Sequence, residues 1–220
     1  FLWLVYVLFW RRRIRLPYRA MLSCVLVGAI NGIGSLFYYN GLNRLDASRA
    51  SLLGAMYPVW VVIFLSASGQ SIRGITLVQL AGSMLGAFLV TSSWQTDNPT
   101  DYLGAMLMIA SAAVNGWYIV MGQWVLADVP SQSGALYILT GMAGTVAFAR
   151  IVTGDPITGG NISLAGWRAI AALGMTTALS RLAMFFSIEK LGGVQTAILS
   201  LIELAISLTL AFIFLGDRLL

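Results

Sequence analysis

The sequence predicts an all-α membrane protein, a bundle of transmembrane helices in two inverted repeats. Three observations carry that prediction. Of its 220 residues 59% are hydrophobic and only 10% charged, with a mean hydropathy of +0.85. A soluble domain carries about a quarter charged residues, and one domain of this size cannot bury so much apolar surface. The apolar residues also fall in runs close to the ~20 needed to cross a bilayer. Finally, the second half of the chain echoes the first at a fixed offset.

The runs are 1–10, 20–42, 47–68, 74–94, 102–126, 132–150, 166–189 and 193–216, eight segments of which the first is partial. Turn chemistry separates them. Pro17 suits the first turn of a helix. "TDNPTD" at 96–101 offers Thr100 or Asp101 as a helix cap, and "DVPSQS" at 128–133 offers Ser131. "TGDPITGGNISLAG" at 153–166 is the longest loop. Such short connections predict antiparallel neighbours. "FLWLVYVLFW" is about half a span, so its helix is expected to begin before residue 1. The arginines of "RRRIRLPYR" (Arg11, Arg12, Arg13, Arg15 and Arg19) predict a cytoplasmic loop. Trp3, Trp10, Trp94 and Trp124, near span ends, read as interfacial anchors. The glycine pairs Gly28/Gly32 and Gly82/Gly86 predict close helix packing, and Asn31 an interhelical hydrogen bond.

The repeat appears when "RLDASRASLLGAMYPVWVVIFL" (44–65) is laid on "KLGGVQTAILSLIELAISLTLA" (190–211), an offset of 146. Arg44 meets Lys190, Leu45 meets Leu191, Ala47 meets Gly193 and Leu53 meets Leu199. A repeat of five helices must lie inverted across the membrane. Inverted repeats are common in secondary transporters, which bind substrate near the midplane.

"ASRASLLGAMYPVWVVIFL" and "GGVQTAILSLIELAISLTLAFIFLGDRLL" resemble the EamA-like members of the drug/metabolite transporter superfamily. In that family a small-residue turn, an apolar run, a central Glu-Pro or similar pair and a closing Leu-Gly-Glu recur. Here Tyr57-Pro58 and Glu203-Leu204 take the paired positions, and Leu215-Gly216-Asp217 stands for the closing motif. The first copy departs there, with Ser68-Gly69-Gln70. The resemblance implies ten helices, about eight of them present here. It implies a first EamA repeat over 1–94 and a second over 102–220. It also implies export or exchange of small metabolites, amino acids or drugs across the inner (plasma) membrane.

The candidate site centres on Glu203. It is the one acid among the 26 residues between Lys190 and Asp217. A charge at mid-bilayer costs roughly 2.5–3.5 kcal/mol on insertion scales, so it should face the bundle interior and find a partner. Arg181 lies eleven residues before Gly192 and Glu203 eleven after it. A helical hairpin with its tip at Gly192-Gly193 would bring the two to one depth, ~16 Å from the turn. Two readings stand. The pair is a structural strut, or it contacts substrate, with Glu203 as a carrier of a coupling proton. At the same offset Arg181 maps to Ser35 and Glu203 to Tyr57, so the first half presents two hydroxyls where the second presents two charges. Such a cavity would suit a small zwitterion or amphipathic molecule; the rival reading of Ser35 and Tyr57 is ordinary packing. Pro58 removes a helix N–H and frees the carbonyl of Gly54 in mid-helix. Asn115 with Trp117 completes the candidate set, the indole either stacking on substrate or packing. Arg44, Asp46 and Arg49 lie at a turn and are expected to be solvated, with gating as the rival role.

Other classes fare worse. With no histidine, the His-dependent catalytic and metal motifs are excluded. "FLGD" at 214–217 is similar to the Gly-x-Gly-Asp of membrane aspartyl proteases, yet Phe214 replaces the first glycine and no second Asp sits at matching depth. The single cysteine, Cys24, reads as packing. The expectation is thus a non-enzymatic transporter with no cofactor and no metal. Its partners would be a small-molecule substrate and membrane lipid, with no nucleic acid, as a monomer or homodimer. The alternatives are a drug or nucleotide-sugar transporter of the same superfamily, or a non-transporting scaffold or channel.

Overall fold

A computed structural model describes residues 16–45, 47–72, 74–91, 101–154, 163–200, 202 and 206, and all secondary structure among them is helical. Seven helices follow in order: α1 (Tyr18–Leu42), α2 (Ala47–Gly54), α3 (Tyr57–Ala67), α4 (Gly74–Thr91), α5 (Tyr102–Val125), α6 (Ser131–Thr153) and α7 (Leu164–Leu191). Residues 193–200 are helical as well. Four of these, α1, α5, α6 and α7, are long and apolar enough to cross a membrane. Large apolar side chains such as Leu173 and Phe148 are exposed on them, as lipid-facing residues of a multi-pass membrane protein are. Trp124 is exposed near the end of α5; Trp3, Trp10 and Trp94 lie outside the described residues.

One expected span is divided. Residues 47–68 read as a single helix, whereas the chain breaks at Ala55–Met56 between α2 and α3. The cause is Pro58, which sits at the start of α3 and is buried. Proline offers no N–H to the carbonyl of Gly54. The bonding tightens instead: Met56 N donates to Leu53 O (3.2 Å) and Val59 N to Met56 O (3.0 Å), a 3₁₀ pattern.

α3 closes with a Schellman motif. Gln70 N donates to Leu65 O and Gly69 N to Ser66 O, both at 3.0 Å, and Gly69 has φ +86°. Gly69→Ala should lower the melting temperature by the equivalent of ~1–2 kcal/mol, because a Cβ is strained in that region. Gly74, whose φ is not positive and whose Cβ would meet nothing within 4 Å, should tolerate alanine; equal melting curves for the two variants would contradict this account. Gly192, φ +83°, likewise stops α7 and a new helix starts at Gly193, where the sequence places a tip.

The chain forms two compact units, Phe1–Ile33 with Met121–Lys190, and Gly34–Val120 with Leu191–Leu220. In the first, α1 and α6 touch backbone to backbone. A Cβ on Gly28 would fall inside the carbonyl oxygen of Ile138, and one on Gly141 inside that of Val25. Gly32 faces Thr145, whose Cβ would lie 2.8 Å from an added methyl. The amide of Asn31 donates to Met142 Sδ at 3.3 Å across this crossing. Cys24 is buried. Phe185 and Ile188 of α7 pack at Gly122, while residues 167–177 of α7 are exposed throughout.

In the second unit α2 packs on α4, and α5 meets both the end of α1 and the start of α3. Ser111 Oγ donates to the carbonyl of Gly34 at 2.8 Å. The buried core includes Val61, Leu65, Met108 and Tyr118. Among the described residues the expected close contact at Gly82 is not formed; a Cβ there would meet nothing within 4 Å.

Candidate functional site

Four of the six candidate residues fall in the second unit with their side chains described. Ser35 is half-buried on α1, next to the Gly34 carbonyl that takes the Ser111 hydroxyl. Tyr57 opens α3 directly after the break, half-buried, and its hydroxyl donates to Ala197 O at 3.4 Å. Asn115 and Trp117 flank Gly116 on α5, where a Cβ would lie 2.7 Å from Trp60 Cβ and 3.1 Å from Tyr57 O. The missing side chain therefore lets α5 lie against the first turn of α3. That crossing brings Tyr57 into the neighbourhood of Asn115 and Trp117.

Rings gather beside it. Trp117 meets Phe64 edge-on at 5.1 Å and 79°, and Phe64 stacks on Trp60 at 5.9 Å and 28°. Trp60 and Phe64, four residues apart, share one helix face. Sequence reading singled out Trp117 and passed over these two, though their spacing was the available signal.

Arg181 belongs to the other unit. It is half-buried on α7, and its Nη1 lies 3.7 Å from Met184 Sδ. Glu203, the centre of the expected site, lies outside the described residues. Among the described residues no group of three or more His, Cys, Asp or Glu could hold a metal ion.

At the end of α1 the arrangement is ionic. Asp101 caps α5: its Oδ1 accepts from the N–H of Leu103 (2.9 Å) and of Gly104 (3.2 Å). Its Oδ2 meets Arg44 Nη1 at 3.2 Å. The cap is one of the two residues the sequence offered. The pairing with Arg44 was not expected, since Arg44 was assigned to solvent and Asp101 to the cap alone. Those bonds, first the Gly104 N–H and then the Arg44 guanidinium, hold the Asp101 carboxyl below its ordinary value. A carboxyl so depressed stabilises the fold above its unfolded pKa, and that share is lost as pH falls through the folded value. Arg44→Gln should therefore weaken the acid-side fall in melting temperature below the usual carboxylate range. An unchanged pH series of melting temperatures would refute this.

The EamA-like transporter family model matches residues 1–92. Residues 1–92 are an EamA-like segment. That segment holds Ser35, Arg44, Tyr57, Trp60 and Phe64, and the family is one of transporters. Asn115, Trp117, Arg181 and Glu203 lie beyond the EamA-like segment. A solved structure described only as "Crystal structure of protein" has a TM-score of 0.76 at 18% identity, covering 96% of this chain and 73% of that one. At that identity the likeness shows the fold alone. Among curated proteins none matches the chain.

Proposed function

We propose that the protein is a secondary transporter that exports small metabolites, such as amino acids or related compounds, across the inner membrane. It would work by alternating access, two inverted repeats (1–94 and 102–220) rocking about a midplane cavity. One observation carries this reading: the EamA-like segment contains a helix interrupted at mid-run, with Tyr57 and its hydroxyl at the break. Discontinuous helices recur at the substrate sites of secondary transporters, where unwound backbone and helix ends face the ligand.

The substrate surface would then comprise Tyr57, Ser35, Asn115 and Trp117, with Arg181 and Glu203 as its ionic side. Hydroxyl, amide and indole groups opposite a charged pair suit a small zwitterion. Glu203 would also be the group that carries a coupling proton. The test is counterflow in liposomes with labelled amino acids. Uptake that saturates and is stimulated by unlabelled substrate on the far side identifies a carrier. Flux that is neither saturable nor trans-stimulated identifies a channel. Counterflow of a lipophilic drug or a nucleotide sugar, in place of amino acids, would move the protein to another branch of the superfamily. No flux of any of these would leave a scaffold.

A further inference from the structure

We propose that Arg44 and Asp101 form a latch that closes one end of the transport path and opens when the protein turns to face the other side. The inference rests on the transport reading above. Its grounds are geometric.

The two residues stand 57 positions apart, at the exit of α1 and the entry of α5. The carboxylate is prepared for its partner. One oxygen is held by the first turn of α5, at Leu103 and Gly104, which aims the other at the guanidinium. Beneath the ion pair the two helices pack closely, with the Met108 side chain seated against Gly41. A Cβ on Gly41 would lie 3.2 Å from Gly104 O, and one on Gly104 would lie 2.9 Å from Arg44 Cβ and 3.0 Å from Leu45 Cγ. No solute passes between backbones at that separation.

The strength of the pair fits a device that must open. Its side chains are 47% and 35% exposed. An ion pair in that setting shifts an equilibrium by roughly two- to fivefold. That biases a two-state protein without locking it. Arg44 and Asp101 belong to one compact unit, Gly34–Val120, so the latch opens by parting the end of α1 from the start of α5 within that unit.

The test uses the whole chain in liposomes with Arg44→Cys and Asp101→Cys combined. The native Cys24 is buried, and each single-cysteine variant serves as its control. Joining the pair with a short bis-methanethiosulfonate linker should stop counterflow, and a reductant should restore it. Counterflow that continues with the pair joined overturns the latch and leaves a static strut.

A second readout needs no substrate. Tyr38→Cys, one turn inside Gly41, is labelled with a membrane-impermeant maleimide. Arg44→Gln and Asp101→Asn should each speed labelling about two- to fivefold, and Arg44→Lys should return it toward the original rate. Asn can still cap α5, so Asp101→Asn tests the charge and not the cap. Equal labelling rates across the series overturn the proposal. Loss of counterflow in the unmodified protein, with the labelling differences intact, would sink the transport reading and spare the latch.

Discussion

Replacing Gly28 with alanine should destabilise the protein by about 3 kcal/mol or more, a fall of roughly 6–12 °C in melting temperature. The added methyl falls inside the carbonyl oxygen of Ile138. A carbonyl in the middle of α6 cannot rotate away as a side chain could, so the two helices must separate. Separation breaks the Asn31–Met142 bond and lifts Gly32 from Thr145. Gly141→Ala should act alike, since its methyl would meet the carbonyl of Val25. Both variants open one crossing, so the double variant should lose less than the sum. The control is Gly144→Ala on the same helix as Gly141, where a Cβ meets nothing within 4 Å. It should be neutral or slightly stabilising, because alanine favours helix over glycine. If Gly28→Ala and Gly144→Ala melt together, the contact does not hold the helices.

The second large effect concerns activity. Glu203→Gln should abolish counterflow, by at least about tenfold, equivalent to 1.4 kcal/mol, while the purified protein keeps its melting temperature. Glutamine matches the shape of the carboxylate and keeps hydrogen bonds, but carries neither charge nor transferable proton. A folded variant that transports normally would remove Glu203 from the site. A variant that fails to fold would make it a strut, since leaving an intramembrane arginine uncompensated is costly. The search for the site would then move to Tyr57, Asn115 and Trp117.

Much of this was legible because lipid makes sequence literal. A span must satisfy its own backbone and present apolar side chains, so its length and limits show in the composition. The ends of α1, α5 and α6 fall within a few residues of the expected bounds. Asp101 was readable as a cap, and Gly192 as a stop, because each effect is local. The break at Ala55–Met56 was half legible. Pro58 marks a lost hydrogen bond, yet whether a helix bends or divides depends on what packs around it. The Arg44–Asp101 pair and the Gly28–Gly141 crossing join residues distant in sequence. No local pattern announces which glycine of a GxxxG meets a backbone and which, like Gly82, faces open space. The candidate site was legible as residue types only. Gly116, a residue with no chemistry of its own, is what lets α5, which carries Asn115 and Trp117, lie against the first turn of α3 at Tyr57.

The divided helix has a consequence for how the chain enters its bilayer. α2 has 8 residues and α3 has 11, each well short of the ~20 that cross a membrane. Neither could be held there alone as it leaves the ribosome. The stretch 47–67 must therefore be inserted as one piece, kept in place by its summed apolarity. It can divide only once α4 and α5, its neighbours in the finished fold, have been synthesised and have docked. The break would thus follow insertion, forming as α4 and α5 dock against the stretch.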